Sequence, residues 1–189
     1  MDDGIRVQPP LSAPGHRSCR QAALRLKPSL TCKRNIAMLW NLSNVLHTLA
    51  AVVWVGGMFF AYIALRPSMA GVPPEEALPL WRRTLQIFLR WVLGTVVILW
   101  ATGIYMMFFV LSGFGAAGVH VDTMFTIALV MTGLFFWLNH GPFRTFKIAA
   151  DSRDFETAGQ QLQKVRKIVA TNLFLGILTI IIAAWGAAG

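Results

Sequence analysis

The segment Leu39–Leu65 reads LWNLSNVLHTLAAVVWVGGMFFAYIAL and contains no Asp, Glu, Lys or Arg. A helix needs about 20 mostly apolar residues to cross the hydrocarbon core of a bilayer, and this segment meets that length. Its apolar residues run continuously instead of alternating, which favours a helix over a barrel strand. The segment therefore predicts a transmembrane helix.

Three further segments have the same character. They are Phe88–Leu111, Val119–Leu138 and Ile168–Trp185. The whole chain is 56% hydrophobic and 13% charged, whereas about 25% of the residues in a soluble domain are charged. We therefore expect an all-α integral membrane protein, a four-helix bundle whose surroundings are the lipid bilayer.

The first 37 residues differ from the rest of the chain. They are polar, carry seven Lys and Arg, and lack the apolar core of a signal peptide. Met38 stands immediately before the first span. We interpret residues 1–37 as a disordered or mis-assigned extension, and residues 38–189 as the four-span domain.

The remaining basic residues alternate between loops. Four lie in or beside the first loop, none in the second, six in the third and none after the fourth span. They are Arg66, Arg82, Arg83, Arg90, Arg144, Lys147, Arg153, Lys164, Arg166 and Lys167. By the positive-inside rule the first and third loops are cytoplasmic, and both termini lie outside. The seven charges of the extension contradict this orientation unless the extension is absent from the working protein.

The two halves of the bundle share a weak pattern. The first and third spans each carry a histidine in their outer part, and the second and fourth carry Leu-Gly near their entry and a glycine near their outer end. The residues are His47 and His120, Leu93-Gly94 and Leu175-Gly176, and Gly103 and Gly186. Because these residues occur in the same order in both halves, the pattern predicts two tandem hairpins related by a pseudo-two-fold axis along the membrane normal. His47 and His120 would then be equivalent and could face each other.

Histidine at membrane depth indicates function because polarity is costly in lipid. Methionines lie near His120: Met124 is one turn along the same helix, and Met106 and Met107, at the outer end of the second span, would be close to the start of the third if the loop between the spans is tight. Imidazole and thioether together suit copper, especially Cu(I). The alternatives are a neutral histidine that bonds across the bundle and methionines that only fill space. His140 is expected at the opposite surface.

Other features predict packing and not chemistry. Trp54 should pack between helices, Gly56 and Gly57 should allow close helix approach, and Asn172 should join two helices through a hydrogen bond. The sequence has no nucleophile with a base, no phosphate-binding loop and no paired carboxylates, so it favours a binding protein over an enzyme. No interleaved aromatic and basic pattern predicts contact with nucleic acid.

The segment Leu46–Met58, LHTLAAVVWVGGM, resembles the opening of the copper resistance protein D (CopD) domain family. The likeness continues through several shorter motifs and covers about residues 38–186. These motifs are Leu65-Arg66-Pro67, Leu80-Trp81-Arg82-Arg83, Phe88-Leu89-Arg90-Trp91, Val119-His120 and Thr171-Asn172-Leu173. Full-length members carry more spans, so this chain looks like a stand-alone domain.

The resemblance implies a bacterial inner-membrane protein that handles copper, with His47 and His120 as candidate ligands and a periplasmic copper carrier as partner. A homodimer is expected because one small bundle offers little room for a pore. The related HemJ-type protoporphyrinogen oxidases imply a second hypothesis, in which the same two histidines bind haem b. The lysine that commonly follows their later histidine is missing, since Val121 follows His120 here. A structural or accessory subunit without a metal is the third reading.

Overall fold

The computed structural model describes residues 30–110 and 118–186, and it describes side chains over 38–109 and 118–186. The chain separates into two units, Met1–Leu39 and Trp40–Gly189, and the following concerns the second unit. Apart from short turns, the described residues are helical and include no strand. The all-α prediction is therefore confirmed. The predicted disorder of the extension falls on residues 1–29, outside the described residues.

Six α-helices and two π-helical turns make up the described chain. Helix α1 (Leu30–Phe60) passes through a π-helical turn (Ala61–Leu65) into the short α2 (Arg66–Ser68). Helix α3 (Pro74–Tyr105) ends in a second π-helical turn (Met106–Val110). Then follow α4 (Val119–His140), α5 (Pro142–Asp151) and α6 (Phe155–Gly186). Since α1 begins at Leu30, the last residues of the predicted extension are helical.

Four helical stretches are long and apolar enough to cross a membrane, which confirms the four-span prediction. They are Met38–Ser68, Pro74–Phe109, Val119–Asp151 and Phe155–Gly186. Large apolar side chains remain exposed along them, among them Val97 (62%) and Phe174 (68%). In water such exposure would be costly, but a lipid-facing surface needs it. The helices are thus suited to a bilayer.

Two helices begin much earlier than their apolar segments. Helix α3 starts at Pro74 and not at Phe88, and α6 starts at Phe155 and not at Ile168. The first turns of both helices carry charged residues, so their sequence does not have the apolar character of a transmembrane span. They still bury one apolar face, which includes Trp81 of α3 and Val165 of α6. Pro74 at the first helical position suits the start of α3, because its missing N–H has no partner there anyway.

Helix α5 covers the end of the bundle at which α3 and α6 begin. Gly141-Pro142 separates it from α4, and its buried face includes Phe143, Phe146 and Ala149. Phe146 has no exposed surface. The closest helix pairs are α5 with α6 and α4 with α6. The segment after the third span is therefore an amphipathic helix packed on the bundle, not an open loop.

The predicted packing residues lie between helices, with one exception. Trp54 on α1 meets the ring of Phe135 edge-on, with centroids 6.3 Å apart. A side chain at Gly57 would overlap Phe88 of α3, whereas the space around the neighbouring Gly56 is open. Asn172 on α6 is buried and donates from Nδ2 to the carbonyl oxygen of Met131 on α4, at 3.2 Å. The close approach of α1 to α3 therefore depends on Gly57 and not on Gly56.

Candidate functional site

His47 lies on α1 and faces α3. Its Nδ1 is 2.8 Å from Oγ1 of Thr102, near the end of α3. The histidine is half-buried, and Thr102 is buried. Because the two residues are far apart in sequence, this contact fixes how α1 and α3 are rotated against each other.

The other contacts of Thr102 favour one tautomer of His47. The threonine hydroxyl lies 2.7 Å from the carbonyl oxygen of Ile98 and 3.3 Å from that of Leu99, and both can only accept its proton. A hydroxyl that donates to either carbonyl accepts from His47, with the hydrogen on Nδ1 of the imidazole. In the neutral ring this leaves the lone pair on Nε2. A hydrogen bond from one ring nitrogen that orients the other is the usual arrangement around a metal-binding histidine.

The ring of His47 lies against Gly103. A Cβ built on that glycine would be 3.4 Å from Cε1 of the imidazole. Met107 follows Gly103 after about one helical turn; it is 3% exposed, and Met106 is half-buried. Both belong to the π-helical turn that ends the second span. A soft thioether is thus placed one turn from the residue that the imidazole touches.

His120 occupies the second position of α4. Gly118 precedes this helix with φ of +92°, a conformation that L side chains rarely adopt. A Cβ there would also lie 3.0 Å from Cε1 of His120. On the other side the imidazole meets Gly186 of α6, where a Cβ would lie 2.5 Å from the ring. Only glycine at these positions leaves room for the ring.

An open groove lies beside His120. It measures about 520 Å³ and is lined by His120, Ile181, Ile182, Trp185 and Gly186. All of these residues except His120 are apolar. Met124, one turn further along α4, is half-buried. The imidazole is the polar group of an otherwise apolar groove.

The histidine and glycine that the two predicted hairpins share are in contact in both hairpins. In each hairpin the histidine of the first helix packs against the glycine near the end of the second: His47 on Gly103 and His120 on Gly186. The Leu-Gly pairs do not match in this way. Gly176 lies against Val55 and Met131, whereas the space beside Gly94 is open.

The two histidines have separate surroundings. His47 contacts Thr102 and Gly103, and the residues around His120 include neither. Within residues 30–110 and 118–186, no three His, Cys, Asp or Glu side chains are grouped as a metal site. His140 ends α4 at the opposite side of the bundle, is exposed, and pairs through Nδ1 with the carbonyl oxygen of Phe136 at 3.0 Å. It takes no part in either histidine contact.

Thr102 is the residue that sequence reasoning missed. A threonine in an apolar helix usually bonds to its own backbone, as Thr123, Thr126 and Thr179 do here. Nothing in the sequence distinguishes Thr102 from them except its position beside Gly103. Its position beside Gly103 is a usable signal, because Gly103 and Gly186 occupy equivalent places in the pattern shared by the two halves.

The fold defines a multi-pass helical membrane protein in which one imidazole packs on a glycine in each hairpin. Comparisons with protein-family models, with curated proteins and with solved structures found no match to this chain. The resemblance to the copper resistance D domain therefore stays a prediction that depends on the quoted residues alone.

Proposed function

We propose that the protein binds copper in the membrane at the end of the bundle that carries His47 and His120. The observation that carries the proposal is the hydrogen bond from Nδ1 of His47 to Thr102, because it orients the imidazole and leaves Nε2 free as a ligand. The thioethers of Met106, Met107 and Met124 are soft donors that suit Cu(I). His120 supplies the nitrogen of the second hairpin.

The wider role follows from the resemblance. We place the protein in the bacterial inner membrane, where it takes copper from a periplasmic carrier and holds it or passes it on. Both termini then lie outside the cytoplasm, and two copies form a homodimer. A reporter fused after Gly189 should be active outside, and one inserted near Asp154 inside. The opposite pattern would place the histidines at the cytoplasmic surface and remove the periplasmic carrier from the proposal.

The test of copper binding compares three histidines. Purified protein is titrated with Cu(I) against a chromophoric chelator, and bound copper is measured by elemental analysis. His47→Ala and His120→Ala should each weaken binding, because each variant loses the imidazole of one hairpin. His140→Ala is the matched control and should bind as the parent does. Folding of every variant is checked by its thermal unfolding midpoint in detergent.

A second candidate is haem b, and the groove at His120 favours it. A groove of about 520 Å³ is far larger than a metal ion needs, and its apolar walls suit a porphyrin. In that case the purified protein has a Soret band, and His120, which lines the groove, is one axial ligand. Met124→Leu separates the candidates, because leucine preserves volume but removes the sulfur. A copper site that uses this sulfur weakens, and a haem bound by His120 does not.

Both candidates fail under one outcome. If the two histidine variants fold and bind as much copper or haem as the parent, the hydrogen bond between His47 and Thr102 serves only to join α1 to α3. The protein would then be a structural or accessory subunit.

A further inference from the structure

Helix α3 joins the two ends of the bundle, and Arg90 lies between them. At one end Arg82 pairs with Asp151 of α5, at 2.9 Å. At the other end Thr102 contacts His47. We call the first of these the basic end, because α5 and the starts of α3 and α6 carry most of the Lys and Arg of residues 38–189.

Arg90 is far from both ends of the bundle. It follows Arg82 by eight residues and precedes Thr102 by twelve. At about 1.5 Å per residue, these separations are about 12 Å and about 18 Å along the helix. No other Asp, Glu, Lys or Arg occurs between Arg83 and Asp122. Arg90 is therefore a charged residue within the apolar part of a span.

The side chain of Arg90 is exposed on the outside of the bundle, where lipid surrounds it. It has no ion pair, hydrogen bond or ring contact within residues 38–109 and 118–186. The carboxylates of those residues lie at the ends of helices: Glu75, Glu76, Asp122, Asp151, Asp154 and Glu156. A charge within a bilayer is costly, and such residues usually pair with another group. A partner for Arg90 must then come from outside the chain.

The face of α3 that carries Arg90 has the spacing of a helix–helix contact. Its exposed residues follow one another at intervals of four and three, the repeat by which helices pack in left-handed pairs. They are Arg83, Ile87, Arg90, Gly94, Val97, Ala101 and Ile104. Gly94 and Ala101 are seven residues apart, and a Cβ at Gly94 would meet no atom within 4 Å. Small residues at such positions let the backbones of two helices approach closely.

A second copy of this chain does not suit this face. A two-fold axis along the membrane normal brings the same residues of two copies together, so Arg90 would meet Arg90. Like charges repel strongly where water does not screen them. A homodimer would therefore use another face of the bundle.

We propose that this face of α3 binds a transmembrane helix of another protein, one that carries a carboxyl side chain at the depth of Arg90. Arginine binds a carboxylate through two parallel hydrogen bonds, and their attraction is stronger away from water. Gly94, one turn further along α3, leaves room for the backbone of the partner. The site is independent of copper, because Arg90 and Gly94 contact neither His47 nor His120.

The test uses the full-length protein in phosphatidylcholine vesicles with synthetic transmembrane peptides. The test peptide is a leucine-rich helix with one Asp as deep in the bilayer as Arg90, and the reference peptide has Leu in its place. Association is measured by energy transfer between a dye on the peptide and a dye at the C terminus of the protein. Arg90→Leu removes the charge, and Gly94→Leu fills the open space. Arg83→Leu is the matched control, because Arg83 lies on the same face but at the basic end.

We expect the parent to bind the Asp peptide about tenfold more tightly than the Leu peptide, which is the effect of one polar contact between helices. Arg90→Leu should remove this preference, and Arg83→Leu should keep it. Gly94→Leu should weaken the binding of both peptides. The thermal unfolding midpoint of Arg90→Leu should not fall below that of the parent, because Arg90 has no partner within the described residues.

Two results would overturn the proposal. The first is equal binding of the two peptides by the parent, or a preference for Asp that persists in Arg90→Leu. The second is energy transfer between two labelled copies of the protein that Gly94→Leu abolishes, because a second copy would then occupy this face.

Discussion

Both histidine–glycine contacts place an imidazole against a glycine, but the two imidazoles are held in place in different ways. His47 lies against Gly103 with ordinary space between them, and its Nδ1 is held by Thr102 at 2.8 Å. His120 is pressed against Gly186, where an added Cβ would lie 2.5 Å away. No hydrogen bond of its ring is found among the described residues, and it borders an open groove.

This difference separates two ways to position an imidazole. The orientation of His47 is set by a hydrogen bond, so it depends on the chemistry of residue 102. The orientation of His120 is set by shape, so it depends on the absence of side chains at residues 118 and 186. A substitution that damages one arrangement should therefore leave the other unchanged, and four predictions test this.

The largest effect is expected at Gly186. Alanine there places a Cβ 2.5 Å from the imidazole of His120, closer than real Cβ contacts occur, so the ring must move. If His120 is a copper ligand, Gly186→Ala should weaken Cu(I) binding by about 100-fold, near the upper range for disturbed metal ligands. Gly103→Ala is the matched control, because its Cβ would lie 3.4 Å from His47. Equal losses in both variants would show that the two contacts are not different in kind.

A smaller effect is expected at Thr102. Valine has nearly the same shape as threonine but cannot accept the hydrogen bond from Nδ1 of His47. Thr102→Val should therefore weaken Cu(I) binding about tenfold, as losses of a partner that orients a ligand do. Thr102→Ser restores the hydroxyl and should restore binding. If serine binds as poorly as valine, the methyl group and its packing, and not the hydrogen bond, explain the loss.

The sequence predicted the four spans because these depend on local composition. The role of His47 and His120 stays a prediction. The sequence could not predict which face of a helix meets which neighbour. Gly56 and Gly57 are adjacent, yet only Gly57 lies against α3, because successive residues point about 100° apart around a helix. Thr102 was missed for the same reason: its partner belongs to another helix, and the rotation that joins them follows from packing. The early start of α3 was hidden by the charges of its first turns.

A still smaller effect is expected from the ion pair between Arg82 of α3 and Asp151 of α5. Both side chains are partly exposed, at 29% and 57%, so water screens their attraction. Arg82→Gln or Asp151→Asn should lower the free energy of unfolding by about 0.2–1 kcal/mol. Cu(I) binding should not change. A loss of copper in either variant would mean that Cu(I) binding depends on the overall stability of the protein and not on the local geometry at the histidines.

The smallest effect is expected at Asp154, just before α6, the helix whose other end carries Gly186. Oδ1 of Asp154 accepts a hydrogen bond from the backbone N–H of Thr157 at 3.1 Å. Hydrogen bonds with Thr157 lower the pKa of this fully exposed carboxyl below its ordinary value of 3.8. The carboxylate therefore favours the folded state above that value, and the contribution disappears as the pH falls through the lower folded pKa.

The measurement is the thermal unfolding midpoint in detergent between pH 7 and pH 3. Asp154→Ala should lower the midpoint slightly at pH 7 because the start of α6 loses its cap. Asp154→Asn keeps a cap but cannot titrate, so its midpoint should fall less than that of the parent as the solution is acidified. A parent and an Asp154→Asn variant with the same pH profile would show that this carboxylate does not contribute. Cu(I) binding at pH 7 should match the parent in both variants, because the start of α6 is far along the helix from Gly186. Unchanged binding would show that the packing around His120 depends only on its own end of the bundle.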